Sequence, residues 1–471
     1  MAKQRTSVIS HIPATHWYIC NLNIDHSEMC CSVVDINRKQ LQDLRSVQGT
    51  LLRGLDTSLN RVMQSIHTYD GLNMQRKRHM IYRLIHDVHM SSVLDDWESK
   101  FHLLPSLLEE ISLQNPSSHV CLQLDTKGRF NRLFLSLPNI TMYQDLWMPV
   151  LQSDGTHMKH RLYNGICYLI IGHDDNGKNI FIVICFLPKE TTEHLVWFFA
   201  NCALCGLDLD EVAVFVDRGK ALYAHKILHH MGLEINLKFC SWHIGNNVKL
   251  NFGGKDEDIC VAISSLQQCL DGESYKQNLI DIHAKFPPKN SNEPFKCIAE
   301  YLASIHPMNW TVFGNSILTP QETHFINSTW PTKELFGAPI KLFGVKTTSA
   351  NEGENNAYIL NNLRDSHPFD AIILFLERSV ATFENKRLNG RSWTSSQYNL
   401  VSFAKAVTDD QMLLHQAYQI DVVDFDSRIF RVKQMQNSLC INTLSLTEYT
   451  VDLDHKTCTR CPTHAQLPIP C

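Results

Sequence analysis

The sequence predicts an α/β fold: a mixed sheet with helices on its faces and a mainly helical insertion. Three observations predict it. Apolar runs of strand length, separated by turn residues, recur between residues 119 and 239. Three of these runs follow one another through short connections, so they must pair antiparallel. The next two are separated by stretches with helical apolar spacing, which permits parallel pairing through crossovers.

In chain order, residues 1–40 are short, broken and rich in Cys and His: His16, Cys20, His26, Cys30 and Cys31. Residues 41–118 read as helical, with apolar residues at Leu51, Leu52, Leu55, Leu59 and Val62, then at Met80, Ile81, Leu84, Ile85 and Val88. Gln75-Arg-Lys-Arg-His79 between them is a basic cluster, either a solvated helix face or a phosphate contact. Val120–Leu124, a Thr126–Arg129 turn and Phe130–Leu137 form a hairpin. A strand over 148–153 runs into Asp154. Leu162–Ile171 and Ile180–Leu187 follow, joined by a turn over His173–Gly177. Thr191 or Thr192 caps a helix that buries Leu195, Trp197-Phe-Phe199 and Leu204. The strand Glu211–Val216 ends at Asp217, a second helix spans Gly219–Met231, and the strand Leu233–Phe239 leads into Cys240-Ser-Trp-His243. This is the order of an RNase H-like mixed sheet, occupying 119–380 with a helical insertion over about 245–345. A helix is expected from about 350 to 380, a helical linker over 381–424, and strand-like pieces after 425.

Composition narrows the function. With 44% hydrophobic and 19% charged residues the chain can bury a core. A net charge of −5 excludes a polybasic binder whose whole surface is positive, but not a protein with one basic face. The start, Met1-Ala-Lys-Gln-Arg-Thr6, lacks an apolar signal region, and the 16 Cys are scattered through apolar runs, which suits a reducing compartment. No apolar run is long enough to span a bilayer, so no membrane is expected as a partner.

Asp154 and Asp217 stand out because each closes an apolar run, Val150-Leu-Gln-Ser-Asp154 and Val212-Ala-Val-Phe-Val-Asp217. Either alone reads equally as a turn or a helix cap. In the proposed sheet their strands are neighbours, so both carboxylates emerge together and repel unless a cation bridges them. Mg²⁺ or Mn²⁺ in a two-metal site resolves that conflict and supplies phosphoryl-transfer chemistry. A third acid is needed. Glu352 and Glu354 both stand in Asn351-Glu-Gly-Glu-Asn-Asn356, and the Glu352-x-x-Asn355 spacing favours Glu352.

At these residues the sequence resembles the Mutator-like element (MULE) transposase domain. The pieces are Asp154-Gly-Thr156, Trp197-Phe-Phe199, Asp217-Arg218, Cys240-Ser-Trp-His243 with Asn247, and Glu352-x-x-Asn355 followed by Arg364. The resemblance covers about 145–380. It implies an RNase H-like fold and an Asp154–Asp217–Glu352 triad that binds Mg²⁺ or Mn²⁺. The activity implied is DNA strand cleavage and joining at terminal inverted repeats. It makes Cys240, His243, Asn247 and Asn355 supporting residues. Lys159, His160, Arg161 and Arg218 beside the acids are the candidate phosphate contacts. The partner implied is double-stranded DNA, bound by a homo-oligomer, and the compartment is the nucleus.

Two end segments extend the resemblance. Residues 425–471 resemble the beginning of a SWIM-type zinc finger, with Cys458, Cys461, His464 and Cys471 as the four Zn²⁺ ligands available. Trp17-Tyr18, His26 and Cys30 resemble the tail of a FLYWCH- or WRKY-like zinc module, so 1–40 is expected to be a degenerate DNA-binding remnant. Two other classes stay open: a transposase-derived DNA-binding or transcriptional regulator without catalysis, and a scaffold whose acids are structural. Metal-dependent nicking and salt-sensitive DNA binding separate the three.

Overall fold

The structure is a computed structural model. It describes residues 2–4, 17–19, 36, 40–41, 43–44, 46–47, 59–137, 143–288, 295–316, 318–331, 333–348, 363–395, 401–415, 418–435 and 448–458. The chain divides into two compact units, Met1–Glu98 and Ser99–Cys471.

The first unit contains helix α1 (Leu59–Asp70) and the beginning of α2 (Arg78–Gln114). Val62, Met63 and Ile66 of α1 recur at helical spacing and pack with Ile81 and Leu84 of α2, Leu41 and Val47. The basic cluster falls on the turn into α2. Lys77 Nζ donates to the carbonyl of Ile36 at 3.0 Å and Arg78 to Asn60 Oδ1 at 3.2 Å. Ala2–Gln4 pairs antiparallel with Trp17–Ile19. His26, Cys30 and the rest of the N-terminal Cys/His cluster lie outside the described residues.

In the second unit, seven strands form one sheet: β1 (His119–Leu124), β2 (Phe130–Ser136), β3 (Met148–His157), β4 (Ile166–His173), β5 (Asn179–Leu187), β6 (Ala213–Val216) and β7 (Leu237–Phe239). Their spatial order is β1-β2-β5-β4-β3-β6-β7. The pairs from β1 to β3 are antiparallel, whereas β3–β6 and β6–β7 are parallel. The order is RNase H-like, with the two acid-bearing strands side by side. α3 (Thr192–Leu204), capped by the Thr191 hydroxyl at His194 N–H, makes the first crossover, and α4 (Ala221–His230) makes the second.

β4 is buried at every position and β5 at all but its first, because both faces of the sheet are covered. One face packs against Leu195, Phe198 and Phe199 of α3 and Ala224 and Leu228 of α4. The other packs against Leu104, Leu108 and Ile111 at the end of α2 and against Ala371, Ile372 and Phe375. The insertion is helical as expected: α5 (Ser241–Phe252), α6 (Asp256–Gln267), α7 (Gly272–Lys285), α8 (Ile298–Ala303) and α9 (Pro320–Thr329). Lys238 of β7 is fully buried and ties this insertion to the sheet, donating to the carbonyls of Met308 at 3.1 Å and Ala338 at 2.8 Å.

Three boundaries differ from expectation. β3 does not stop at 153 but runs through Asp154 to His157, because the chain stays paired with β4. Of the helix expected over 350–380, residues 349–362 lie outside the described residues and 368–380 belong to α10 (Pro368–Ser395), which starts at a proline whose missing N–H costs nothing in the first turn. The boundary expected at 380 therefore falls inside a helix that buries Ala371, Ile372 and Phe375 in the sheet's core. The linker expected to be helical to 424 instead ends in a strand: after α11 (Ser402–Leu414), β8 (Tyr418–Asp424) pairs with β9 (Ile429–Gln434), and with β10 (Glu448–Asp452) and β11 (Thr457–Cys458) they form a separate antiparallel meander. Cys458 is half-buried there, and Cys461, His464 and Cys471 lie outside the described residues. No helix among the described residues is long and apolar enough to cross a membrane.

Candidate active site

The parallel pairing of β3 with β6 sets the geometry. Val150, Leu151 and Gln152 face Ala213, Val214 and Phe215. Continued for two rungs, that register puts Asp154 level with Asp217, on strands about 4.8 Å apart. Both side chains are half-buried. Asp154 pairs with Leu169 of β4, two residues past the last β3–β6 pair, and its Oδ1 accepts the Gly155 N–H at 2.9 Å. Asp217 is the first residue past β6. The Asp-Gly pair makes no turn. A Cβ at Gly155 would meet the Tyr168 ring at 2.5 Å, so glycine lets that ring lie against β3 beside the first acid.

Tyr168 brings a third carboxylate into view. Its hydroxyl donates to Glu190 Oε1 at 3.0 Å. Glu190 lies just beyond β5, whose C-terminal end shares this edge of the sheet with those of β3 and β6. Lys220 holds the Glu190 carbonyl. Burial pushes the Tyr168 phenol well up from its ordinary range, and the negative fields of Glu190, Asp154 and Asp217 push it the same way. The sequence reading missed Glu190, although a carboxylate three residues past the third strand was there to be counted.

His243 sits on the first turn of α5. Burial draws its imidazole down towards the neutral form, against the opposing fields of Asp217 and Glu190. Cys240 is 1% exposed, and burial pushes its thiol up. Its Sγ accepts the Thr348 N–H at 3.2 Å, so it holds the chain rather than facing the acids. Asn247 and Arg218 both bond the hydroxyl of Tyr301. The Arg218 guanidinium also lies 5.1 Å from the centre of the Tyr301 ring, directed at the insertion.

The other basic candidates separate. Lys159 and Arg161 are exposed. His160 is 4% exposed, its Nδ1 accepts the Leu162 N–H, and its ring meets His367 edge-on at 5.4 Å. It is a packed ring, closed to a phosphate.

Glu352, Glu354 and Asn355 lie outside the described residues, but the chain on either side is fixed. Before them, the Lys346 carbonyl accepts the Ser241 N–H at 2.9 Å and Thr348 is held by Cys240. After them, Arg364 Nε donates to the His157 carbonyl at 2.9 Å, and the Arg364 carbonyl accepts the Lys159 N–H. Both ends of 349–362 are thus tied to the edge that carries Asp154 and Asp217. Among the described residues no three Asp, Glu, His or Cys side chains converge closely enough to hold a metal ion.

Two solved structures of the HTLV-2 integrase catalytic core domain in complex with magnesium are similar to part of this chain. The dimeric form is 20% identical over 26% of this chain and 88% of that one, and the trimeric form 20% identical over 25% and 84%, each with a TM-score of 0.14. So low a score carries no structural weight, and the RNase H-like assignment rests on strand order and direction. No curated protein matches the chain. Residues 150–247, which contain both aspartates, Glu190 and the Cys240–His243 pair, match the MULE transposase domain family.

Proposed function

We propose that the chain is a DNA transposase of the Mutator-like class that cleaves and joins strands with divalent metal held by Asp154, Asp217 and Glu352. The observation that carries this reading is the parallel register placing Asp154 and Asp217 on one rung. The donors are carboxylate oxygens, which suit Mg²⁺ or Mn²⁺ rather than a soft metal. When bound, such ions activate a water or 3′-hydroxyl and stabilise the leaving oxygen.

The protein's own share is positional. Asp154 is held in place by pairing with Leu169 of β4, so its carboxylate needs little reorganisation. His243, held neutral by burial, adds no positive charge that competes for Asp217. Exposed Lys159 and Arg161, just past the first acid, attract the phosphodiester. The anchored ends of 349–362 support Glu352, with Glu354 as its competitor, as the third acid.

Nicking of a supercoiled plasmid in Mn²⁺ tests the proposal. Asp154→Ala and Asp217→Ala should each lower the rate by at least about 10³-fold, the scale on which lost metal binding is felt. Glu352→Gln should match them while Glu354→Gln does not. Undiminished nicking in Asp217→Ala would overturn the site. Salt-sensitive DNA binding by the wild-type chain without nicking would point to a transposase-derived binding protein.

A further inference from the structure

The opposite edge of the same sheet carries a different chemistry. Two adjoining cavities, about 430 and 710 Å³, run between the β4–β5 turn and α10, with Ser402 and Phe403 at the start of α11 also lining the larger. They share Lys178, Asn179, Thr382 and Asn385, so they form one groove. Its cations are Lys178, Arg378 and Lys386, and its single acid is Asp174, already bound by Lys386. The remaining polar lining is mostly amide and hydroxyl, groups that donate to an anion without adding charge. Glu377 and Glu384 are on the same helix but line neither cavity, and Glu384 is engaged by Arg387.

The α10 side of the groove is a stripe. Arg378, Thr382, Asn385 and Asn389 are spaced by four, three and four residues, which places them on one helix face. The stripe is about 16 Å long at 1.5 Å per residue. One DNA strand presents a phosphate every ~3.4 Å of duplex axis, so a stripe of this length meets several phosphates rather than one. Arg378 is braced, its guanidinium 5.4 Å from the centre of the Phe181 ring. Lys178 is exposed on the turn, where Asp174 Oδ1 fixes the backbone by accepting the N–H groups of Asn176 and Lys178. A point anion would need a closed cradle. An open, straight, cationic trough fits a polyanion.

We propose that this groove is a second contact for double-stranded DNA, gripping the phosphate backbone at a level about 17 Å, five residues, along the strand direction from the paired aspartates. It rests on the transposase reading for the identity of its ligand, but not on metal or on catalysis. Its role is to fix the direction in which the duplex leaves the acidic edge.

The test is binding of the full chain to a random-sequence duplex by fluorescence anisotropy, without divalent metal, between about 50 and 200 mM salt. Each lost phosphate contact lowers the slope of log affinity against log salt by about 0.9. Lys178→Gln/Arg378→Gln should therefore flatten the slope by roughly 2, so that affinity falls about tenfold less over that range. Lys178→Gln alone, at an exposed turn, should flatten it by about half as much, which covers the case in which losing Arg378 from Phe181 harms folding. An unchanged slope in both groove variants overturns the proposal, and so does displacement of a bound phosphate probe with no effect on duplex binding. Metal-dependent nicking is scored separately, so loss of one result does not decide the other.

Discussion

The two ends of the central sheet can be compared directly, because the same strands build both. At one end Glu190 accepts from the Tyr168 hydroxyl, the fields of Asp154 and Asp217 also reach that phenol, and all three acids are half-buried. At the other, Lys178, Arg378 and Lys386 line an open groove with one acid among them. Half-buried carboxylates on one edge suit a bound cation, as the proposed function requires. Of these cations Lys178 is exposed, while Arg378 and Lys386 are half-buried, an arrangement that suits the weak, additive contacts with a polyanion that the inference requires. The sheet thus separates chemistry from positioning.

The largest effect that sharpens this contrast is at the acidic end. Asp217→Asn removes a charge but keeps the shape. It should abolish Mn²⁺-dependent nicking while metal-free duplex affinity stays within about threefold, since no phosphate contact is lost. The basic-end variants should do the reverse, changing affinity and its salt slope more than the nicking rate at saturating DNA. If Asp217→Asn weakens metal-free binding as much as Lys178→Gln/Arg378→Gln does, the two ends are not separate.

The next effect concerns the sheet that holds the ends apart. Phe198 is fully buried on α3, with ring centres 6.2 Å from Phe134, 5.3 Å from Tyr168 and 5.1 Å from Phe199. Phe198→Ala should cost about 3–5 kcal/mol in urea unfolding, from lost burial plus the cavity left behind. Its loss should disturb the Tyr168 end before the groove, so nicking in the folded fraction should fall more than DNA binding.

Legibility from sequence follows the same division. The strand order, the crossovers and the adjacency of the two acid-bearing strands were readable, because apolar runs separated by tight turns allow few pairings. The extent of β3 was not, because Asp154-Gly155 looks like a turn until Tyr168 is seen to need the space above the glycine. Glu190 escaped because its role depends on Tyr168, 22 residues away on another strand. His160 was misleading because its neighbours Lys159 and Arg161 are exposed, while its own ring packs on His367 across the fold. The groove was invisible for a further reason. Its lining, from 174–181, 378–389 and 402–403, comes from distant parts of the chain and meets only when α10 docks on the sheet.

A smaller effect lies at Lys238, between the sheet and the helical insertion. Burial draws its ammonium down to about 7. Its pKa in the unfolded chain is near the ordinary 10.5, so between these values the unfolded chain binds the proton and the folded chain does not. Stability must then rise with pH through this window and level off above it. Urea unfolding of the wild type between pH 7 and 10.5 should show that rise, and Lys238→Met should flatten it. A slope that survives in Lys238→Met would assign it to other groups and leave the lysine charged throughout.

The smallest expected effect tests whether the acidic end has a fixed internal order. Tyr168→Phe keeps the ring that packs against Gly155 and Phe198 and removes only the hydroxyl that donates to Glu190. Loss of one such bond costs about 1 kcal/mol, which is measurable as a shift in the urea midpoint with the slope unchanged. The functional consequence is more telling. Without its phenol partner, Glu190 is free to reorient towards Asp217 and His243, the two groups whose fields already overlap with its own. Nicking should fall, by less than in the aspartate variants, and the Mn²⁺ concentration giving half-maximal rate should shift. A stability change of the expected size with an unchanged metal requirement would make Glu190 a structural neighbour of the site, leaving Asp154 and Asp217 as the only described acids that meet the ion.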